Sequence, residues 1–429
     1  MNLRLLPERI VGWAYRATKI GLFEIVHLLM RPVWCCQSLV WLWAAPRTSD
    51  RKRRVLLLAN NEMLARFAGD LAEQLVQDDR LKLYFSRPPL VDRRVSTAAV
   101  VATAGLPYVG FLEALLTRWD LIINPDHFPS ALFHPGIPKI FSAHGLFTGK
   151  RVRGALYEYG HRARRWNGRP VYQRILASGL IERRCALHFA PLLARTIAVT
   201  GSVQVDGLLK LNRRRDTVRE TLGIPAGQKT LIVMSSWGPN CLLQRDGERV
   251  LSHVQALTDE YTVFLAAHRN NFFRGKSGKR NWQRFRSELA TSGVRVLDSR
   301  DDWWQYLVAA DIAVCDFTSL SLYFAQCVRP MVFVSIREAD FFPGSPLMQV
   351  YEISPKLTDP CRLRGVLAHA EQHYPLDELR RIAEQTVSFR GDAANRIRAT
   401  VAETLGLPPK SPTSPMACEE VNEATSNAS

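Results

Sequence analysis

Residues 310–334 read ADIAVCDFTSLSLYFAQCVRPMVFV. The apolar run 312–315 ends in Asp316, and Thr318 and Ser319 follow. A helical pattern then covers 319–327, and a second apolar run covers 331–334. Strand, capped helix and strand in that order make the βαβ unit of a parallel sheet. Thr318 or Ser319 is the expected N-cap. The free amides of the first turn are expected to face a cleft, where they and the helix dipole would bind phosphate. An ordinary capped helix fits the same residues, and the two readings are compatible.

The same rhythm extends outward. Before this unit, strands are expected at 230–234, 262–266 and 294–297, with helices at 246–257, 282–290 and 303–309 between them. Arg213, Arg214 and Arg215 mark a joint, and an earlier series precedes it: strands at 55–59, 81–85, 121–123, 139–142 and 196–200, helices at 62–76 and 110–117. Helices at 360–373, 376–387 and 393–405 close the chain. The expected fold class is α/β, with two doubly wound, Rossmann-like domains facing across a cleft. The expected units are 51–212 and 213–407, preceded by a distinct segment at 1–50. The tail 408–429 is rich in Pro, Ser, Thr, Asn and Glu, which have little to bury, and is expected to be disordered.

The 429 residues carry 57 Lys+Arg against 40 Asp+Glu, a net charge of +17. That excess suggests an anionic partner: nucleic acid, a membrane surface or a phosphate-bearing substrate. No aromatic–basic RNA-binding module is present, so nucleic acid is not expected. The eight cysteines form no CxxC pair, and reduced thiols in the cytosol are expected. No GxGxxG, GxxxxGK[ST] or GxSxG motif occurs, and no cofactor or metal is expected. Asp301 and Asp302 precede Trp303 and Trp304 at a helix start and are read as caps rather than metal ligands.

Residues 1–50 read as a membrane-associating segment. Arg9, Arg16 and Lys19 recur at helical spacing opposite Ile10, Trp13, Ala14, Ala17 and Ile20. The uncharged run 32–46 carries three tryptophans, as at a headgroup boundary, but is shorter than the roughly 20 residues a span needs. Arg51, Lys52, Arg53 and Arg54 would sit against anionic lipid. Peripheral or monotopic attachment at the cytoplasmic face of the membrane is therefore expected. A hairpin packed on the protein's own core is the competing reading.

Two further stretches carry chemistry. In FSAHGLFTGKR, 141–151, a strand ends at Ser142, His144 and Gly145 follow immediately, and Lys150 lies close behind. In VFLAAHRN, 263–270, another strand ends at His268, followed by Arg269. A histidine at the carboxyl end of a parallel strand stands at the crevice mouth, with an unperturbed pKa that suits proton transfer near neutrality. Two of them, each near a cation and in opposite domains, would converge on an anionic transition state. A loop histidine bonded locally is the plainer reading of each. Ser235, Ser236 and Trp237 end the first strand of the second series and would meet a nucleotide.

In this order and spacing, the pieces over about 140–335 resemble the CDP-glycerol glycerophosphotransferase family, the TagB/TagF-type polymerases and primases of teichoic-acid synthesis. The family's His-Gly motif with its following lysine matches His144, Gly145 and Lys150. Its Gly-x-Pro-Arg-x-Asp segment matches GSVQVD at 201–206, and its strand end "PTW" matches Ser235, Ser236 and Trp237. Its "KLHP" segment matches 266–269, and its "DYSS" matches DFTS at 316–319. The chain departs from the pattern in lacking Pro-Arg within GSVQVD, in His268-Arg269 for His-Pro, and in Phe317-Thr318 for Tyr-Ser.

The resemblance implies a GT-B-like fold. It also implies transfer of glycerol phosphate, or a related polyol phosphate, from a CDP-linked donor to a lipid-linked acceptor at a membrane. His144 and His268 carry over as catalytic residues, with His144 as general base. Ser236, Arg269, Asp316, Thr318 and Ser319 would hold the donor's nucleotide and phosphates, and Gly145 and Lys150 would lie on the acceptor side. A GT-B glycosyltransferase using a nucleotide sugar for capsule or lipopolysaccharide synthesis is the alternative.

Overall fold

Each half of the chain builds one parallel six-stranded sheet. The computed structural model describes residues 25, 28–39, 41, 52–88, 97–125, 132–152, 155–160, 163–164, 169–238, 240–245, 247–268, 287–297, 302–334 and 336–409. The basic helix expected near residues 9–20, Arg269, and the tail from 410 onward lie outside these residues.

The first sheet is formed by β1 (Arg53–Leu58), β2 (Leu81–Ser86), β3 (Leu121–Asn124) and β4 (Lys139–Ser142), together with β7 (Arg174–Ala177) and β8 (Ile197–Val199). Its order is β2-β1-β3-β4-β7-β8. A short antiparallel hairpin, β5 (Arg151–Val152) and β6 (Ala155–Leu156), projects between β4 and β7. The second sheet comprises β9 (Lys229–Ser235), β10 (Tyr261–Ala267), β11 (Val294–Val296), β12 (Ile312–Cys315), β13 (Met331–Val334) and β14 (Lys356–Leu357). Its order is β11-β10-β9-β12-β13-β14. Strands such as TLIVMS, IAVC and MVFV are buried along their whole length. Helices cover both faces, so no polar alternation is required.

Helix α1 covers 28–39. Helix α2 (Glu62–Leu75) begins where Asn61 accepts the Leu64 N–H at 3.0 Å, and it buries Leu64, Ala68, Leu71 and Leu75 at three- and four-residue spacing. Further along come α3 (Leu180–Phe189), α4 (Val203–Asn212), α5 (Trp303–Ala309), α6 (Leu320–Gln326), α7 (Pro346–Ile353), α8 (Leu376–Thr386) and α9 (Ala393–Thr404). Asp302 caps α5, accepting from Trp304 N. Helix α9 falls inside the stretch expected as the second unit, 213–407, yet it packs on the first sheet. Ile397 and Val401 share a core with Val55, Leu57 and Leu64. The crossing is fixed by Ser388 N donating to Ser178 O at 2.9 Å. It is also fixed by the buried Asp206 carboxylate, which accepts from Gly391 N at 2.6 Å and Ala393 N at 3.2 Å.

Part of the N-terminal segment is docked on the first domain. Trp34, Gln37, Ser38 and Trp41 form one stripe of α1 and its continuation. Trp34 is 5% exposed, Gln37 donates to Leu115 O at 2.6 Å, Ser38 bonds His134 at 3.0 Å, and the Trp41 ring lies 4.9 Å from that of His134, tilted against it. The opposite stripe, Ile25, Leu28, Leu29 and Val33, is exposed. Among the described residues no helix is long and apolar enough to cross a membrane.

Candidate functional site

In open parallel sheets ligands gather where the strand order reverses. In the second sheet that point lies between β9 and β12. Asp316, just past β12, is fully buried, and its carboxylate accepts from Ser236 N at 2.8 Å, Leu242 N at 2.8 Å and the Ser235 hydroxyl at 3.1 Å. Burial raises its pKa, against the hydrogen bonds that favour the charged form. The expected donor contact at Asp316 is therefore corrected: this carboxylate faces inward and ties together the two loops that frame the switch point. Ser236, also buried, gives its N–H to that clamp.

The helix start is corrected as well. Leu320 N donates to Thr318 Oγ1, Ser321 N to Thr318 O, and Leu322 N and Tyr323 N to Ser319 O. These tight bonds occupy the first-turn amides that were expected to be free. Thr318 is the capping side chain. Ser319, at the N-cap position, makes no side-chain capping bond.

Across the cleft, His144 Nδ1 lies 3.0 Å from Pro125 O, beyond the end of β3, at the reversal point of the first sheet. A carbonyl only accepts, so Nδ1 carries the proton and Nε2 is left for a second partner. Gly145 abuts the donor half directly: a Cβ there would stand 3.3 Å from Ser319 Oγ. Gly149, at φ +75°, is pressed so close to Ser345 that any side chain would collide with it.

Lys150, expected on the acceptor side, comes from the first domain, yet its ammonium lies 4.8 Å from the Phe317 ring centre and 5.7 Å from that of Trp237. Trp237 in turn lies 6.0 Å from the His268 ring. Gly145 thus lies close to Ser319, and Lys150 meets Phe317 and Trp237, the latter beside His268.

Several groups here escape a reading of the sequence. Phe67 of α2 sits edge-on to both His144 and Trp304, each at 6.5 Å, and Trp304 meets Tyr323 at 4.8 Å. A cavity behind the His144 loop is lined by Ser142, Gly145, Ser178, Glu182, Ser202 and Gln204 among others. Glu182 is buried there, accepting from Tyr159 at 2.6 Å and from Ser178 N and Oγ at 2.7 Å, and burial raises its pKa. Only the amphipathic period of α2 and a serine-rich strand end hint at these residues.

No family model matches the chain, and no curated protein matches it. Solved structures do. The wall teichoic acid polymerase TagF matches with a TM-score of 0.56 and 14% identity, over 91% of this chain and 98% of that one. A histidine-to-asparagine variant of it, soaked with CDPG, matches equally well. MnaA of S. aureus, with UDP, matches at TM-score 0.57 and 12% identity, over 84% and 99%. The UDP-GlcNAc 2-epimerase of Neisseria meningitidis matches at 0.51 and 13%, over 82% and 99%. The likeness establishes the architecture: two Rossmann-like sheets facing across a cleft, in the GT-B manner.

Proposed function

We propose that the protein is a nucleotide-dependent transferase of cell-surface polymer synthesis, moving glycerol phosphate or a related polyol phosphate from a CDP-linked donor to a lipid-linked acceptor. The observation that carries this reading is the apposition of His144–Gly145 to Ser319. It sets a histidine with a fixed tautomer against the donor-side strand end. In the reaction, the acceptor hydroxyl gives its proton to His144 Nε2 and attacks the donor phosphate that bears the polyol. The bond to the CMP oxygen breaks. His268, with Arg269 beside it in sequence, balances the charge on the phosphates, and Ser319 donates to them. Positioning and electrostatics dominate phosphoryl transfer, so cationic side chains suit it.

The exposed stripe of Ile25, Leu28, Leu29 and Val33, with exposed Leu112 and Leu116 on the helix that receives Gln37, supports a membrane-facing side near the acceptor domain. The UDP-bound neighbour keeps sugar transfer as the second reading. Incubating purified full-length protein with CDP-glycerol or with UDP-sugars, each with membrane lipid extract, separates them. CMP release with CDP-glycerol supports polyol phosphate transfer, whereas UDP release alone replaces it with glycosyl transfer.

A further inference from the structure

We propose that Lys150 is a donor-side residue, reaching from the first domain to place its ammonium against the phosphates of a nucleotide seated at the β9–β12 switch point. The inference rests on the reading above and names the group that answers the donor's charge.

Three observations lead to it. First, Lys150 is fastened to the second domain by its backbone. Lys150 and Phe341 form an antiparallel bridge, Phe342 N donates to Gly149 O at 2.8 Å, and Gly149 packs on Ser345 without room for a side chain. Although Lys150 belongs to the first half of the chain, its side chain is held in register with Phe317 and Trp237.

Second, this half-buried ammonium makes no ion pair among the described residues. It rests on two ring faces. The carboxylates of Asp316, Asp340 and Glu158 favour its charged form without pairing with it, and the Asp316 oxygens are already bonded to Ser236, Leu242 and Ser235. Burial nonetheless lowers the Lys150 pKa. Ring faces offset only part of the cost of desolvating a cation, and an anion would supply the rest. Rings occupy one side of an ammonium, and its remaining protons are available to phosphate oxygens.

Third, the first-turn amides of α6 are already bonded within the turn. A phosphate at this strand end therefore needs side-chain donors. Lys150 lies beside Phe317, two residues before Ser319, and beside Trp237, next to His268.

The test uses full-length protein and titration calorimetry with CDP, UDP, cytidine and inorganic pyrophosphate. Replacing Lys150→Met keeps an unbranched chain on the rings and removes the charge. CDP binding is expected to weaken about 10- to 100-fold, the range for a hydrogen bond to a charged group. Cytidine binding should change less than threefold, and Lys150→Arg should retain part of the CDP affinity. The melting temperature of Lys150→Met should stay level or rise, because a half-buried cation without an ion-pair partner among the described residues is removed. Unchanged CDP affinity in Lys150→Met, or equal losses for CDP and cytidine, would overturn the proposal. So would lower melting temperatures in both Lys150→Met and Lys150→Gln with normal CDP affinity in the folded fraction. Wild-type protein that binds pyrophosphate in a Lys150-dependent way, but binds neither nucleotide, would remove the nucleotide reading while leaving Lys150 as an anion site.

Discussion

The Pro125 carbonyl holds the His144 ring by Nδ1 at 3.0 Å, so the backbone just past β3 sets which nitrogen of the histidine is left open. In the role proposed for His144, a general base contributes roughly 10²–10⁴ in rate. In His144→Ala, turnover should fall by that factor while nucleotide affinity stays within about twofold of wild type. Single-turnover rates beside calorimetric binding check this. A variant keeping more than about a tenth of the wild-type rate would take His144 out of the mechanism.

Thr318 and Ser319 differ in what their hydroxyls do, and their variants should differ too. Thr318 Oγ1 accepts from Leu320 N, so Thr318→Val should destabilise the fold by about 1 kcal/mol. Ser319 caps nothing with its side chain. Ser319→Ala should melt like wild type and bind the nucleotide about tenfold more weakly, one hydrogen bond to a charged group. Melting curves with and without CMP separate the two. A Ser319→Ala protein with a lowered melting point and an unchanged CMP-induced shift would assign this serine to the helix.

The alternation of apolar runs and amphipathic helices revealed the doubly wound class because buried parallel strands are uniformly apolar, as in 312–315 and 331–334. It did not reveal β7, where Arg174 opens a run of only four residues, or the two-residue strands β5, β6 and β14. The position of His144 and His268 just past a strand was legible, since position after a strand is a sequence property. The inward turn of Asp316 was not, because its partners Ser236 and Leu242 lie 74–80 residues away in the chain. Phe67 and the reach of Lys150 depend on how two domains meet, which local pattern does not encode.

Glu158 introduces a pH dependence. Burial, with Glu182 nearby, pushes its carboxyl from an ordinary 4.5 to about 7, and Oε2 has no hydrogen-bond partner among the described residues. A raised folded-state pKa means the native protein holds this proton more tightly than the unfolded chain. The associated stability is full below about 4.5 and is lost as pH rises through about 7. Glu158→Gln should therefore match wild type near pH 4 and exceed it at pH 8, by on the order of 2 kcal/mol. Denaturant melts at both pH values measure the difference. A gap that does not change with pH would mean Glu158 ionises as in water.

Asp206 joins the two halves through Gly391 N and Ala393 N at the start of α9. Removing the carboxylate leaves two N–H groups without partners, each costing about 1–3 kcal/mol if it stays buried. Asp206→Ala should lower stability by about 2–4 kcal/mol and speed amide exchange across 391–404 more than in β9 or β12. Uniform acceleration throughout the chain would instead indicate a purely global effect.

The two stripes of α1 call for opposite outcomes from two variants. Trp34 and Gln37 face the first domain, and Gln37 satisfies the Leu115 carbonyl. Deleting 1–50 therefore strips cover from residues around His134 and Leu115, and it should destabilise the first domain by about 2–4 kcal/mol, the range for losing a large buried side chain. Leu28, Leu29 and Val33 face outward, with Leu29 71% exposed, so replacing all three by serine removes apolar surface without touching that packing. The triple variant should melt like wild type and bind vesicles of mixed anionic and zwitterionic lipid at least tenfold more weakly. Each apolar side chain entering an interface contributes on the order of 1 kcal/mol or more. Vesicle sedimentation at low and high salt measures both the apolar and the electrostatic parts. Unaltered sedimentation of a well-folded triple variant would show that this stripe does not touch lipid.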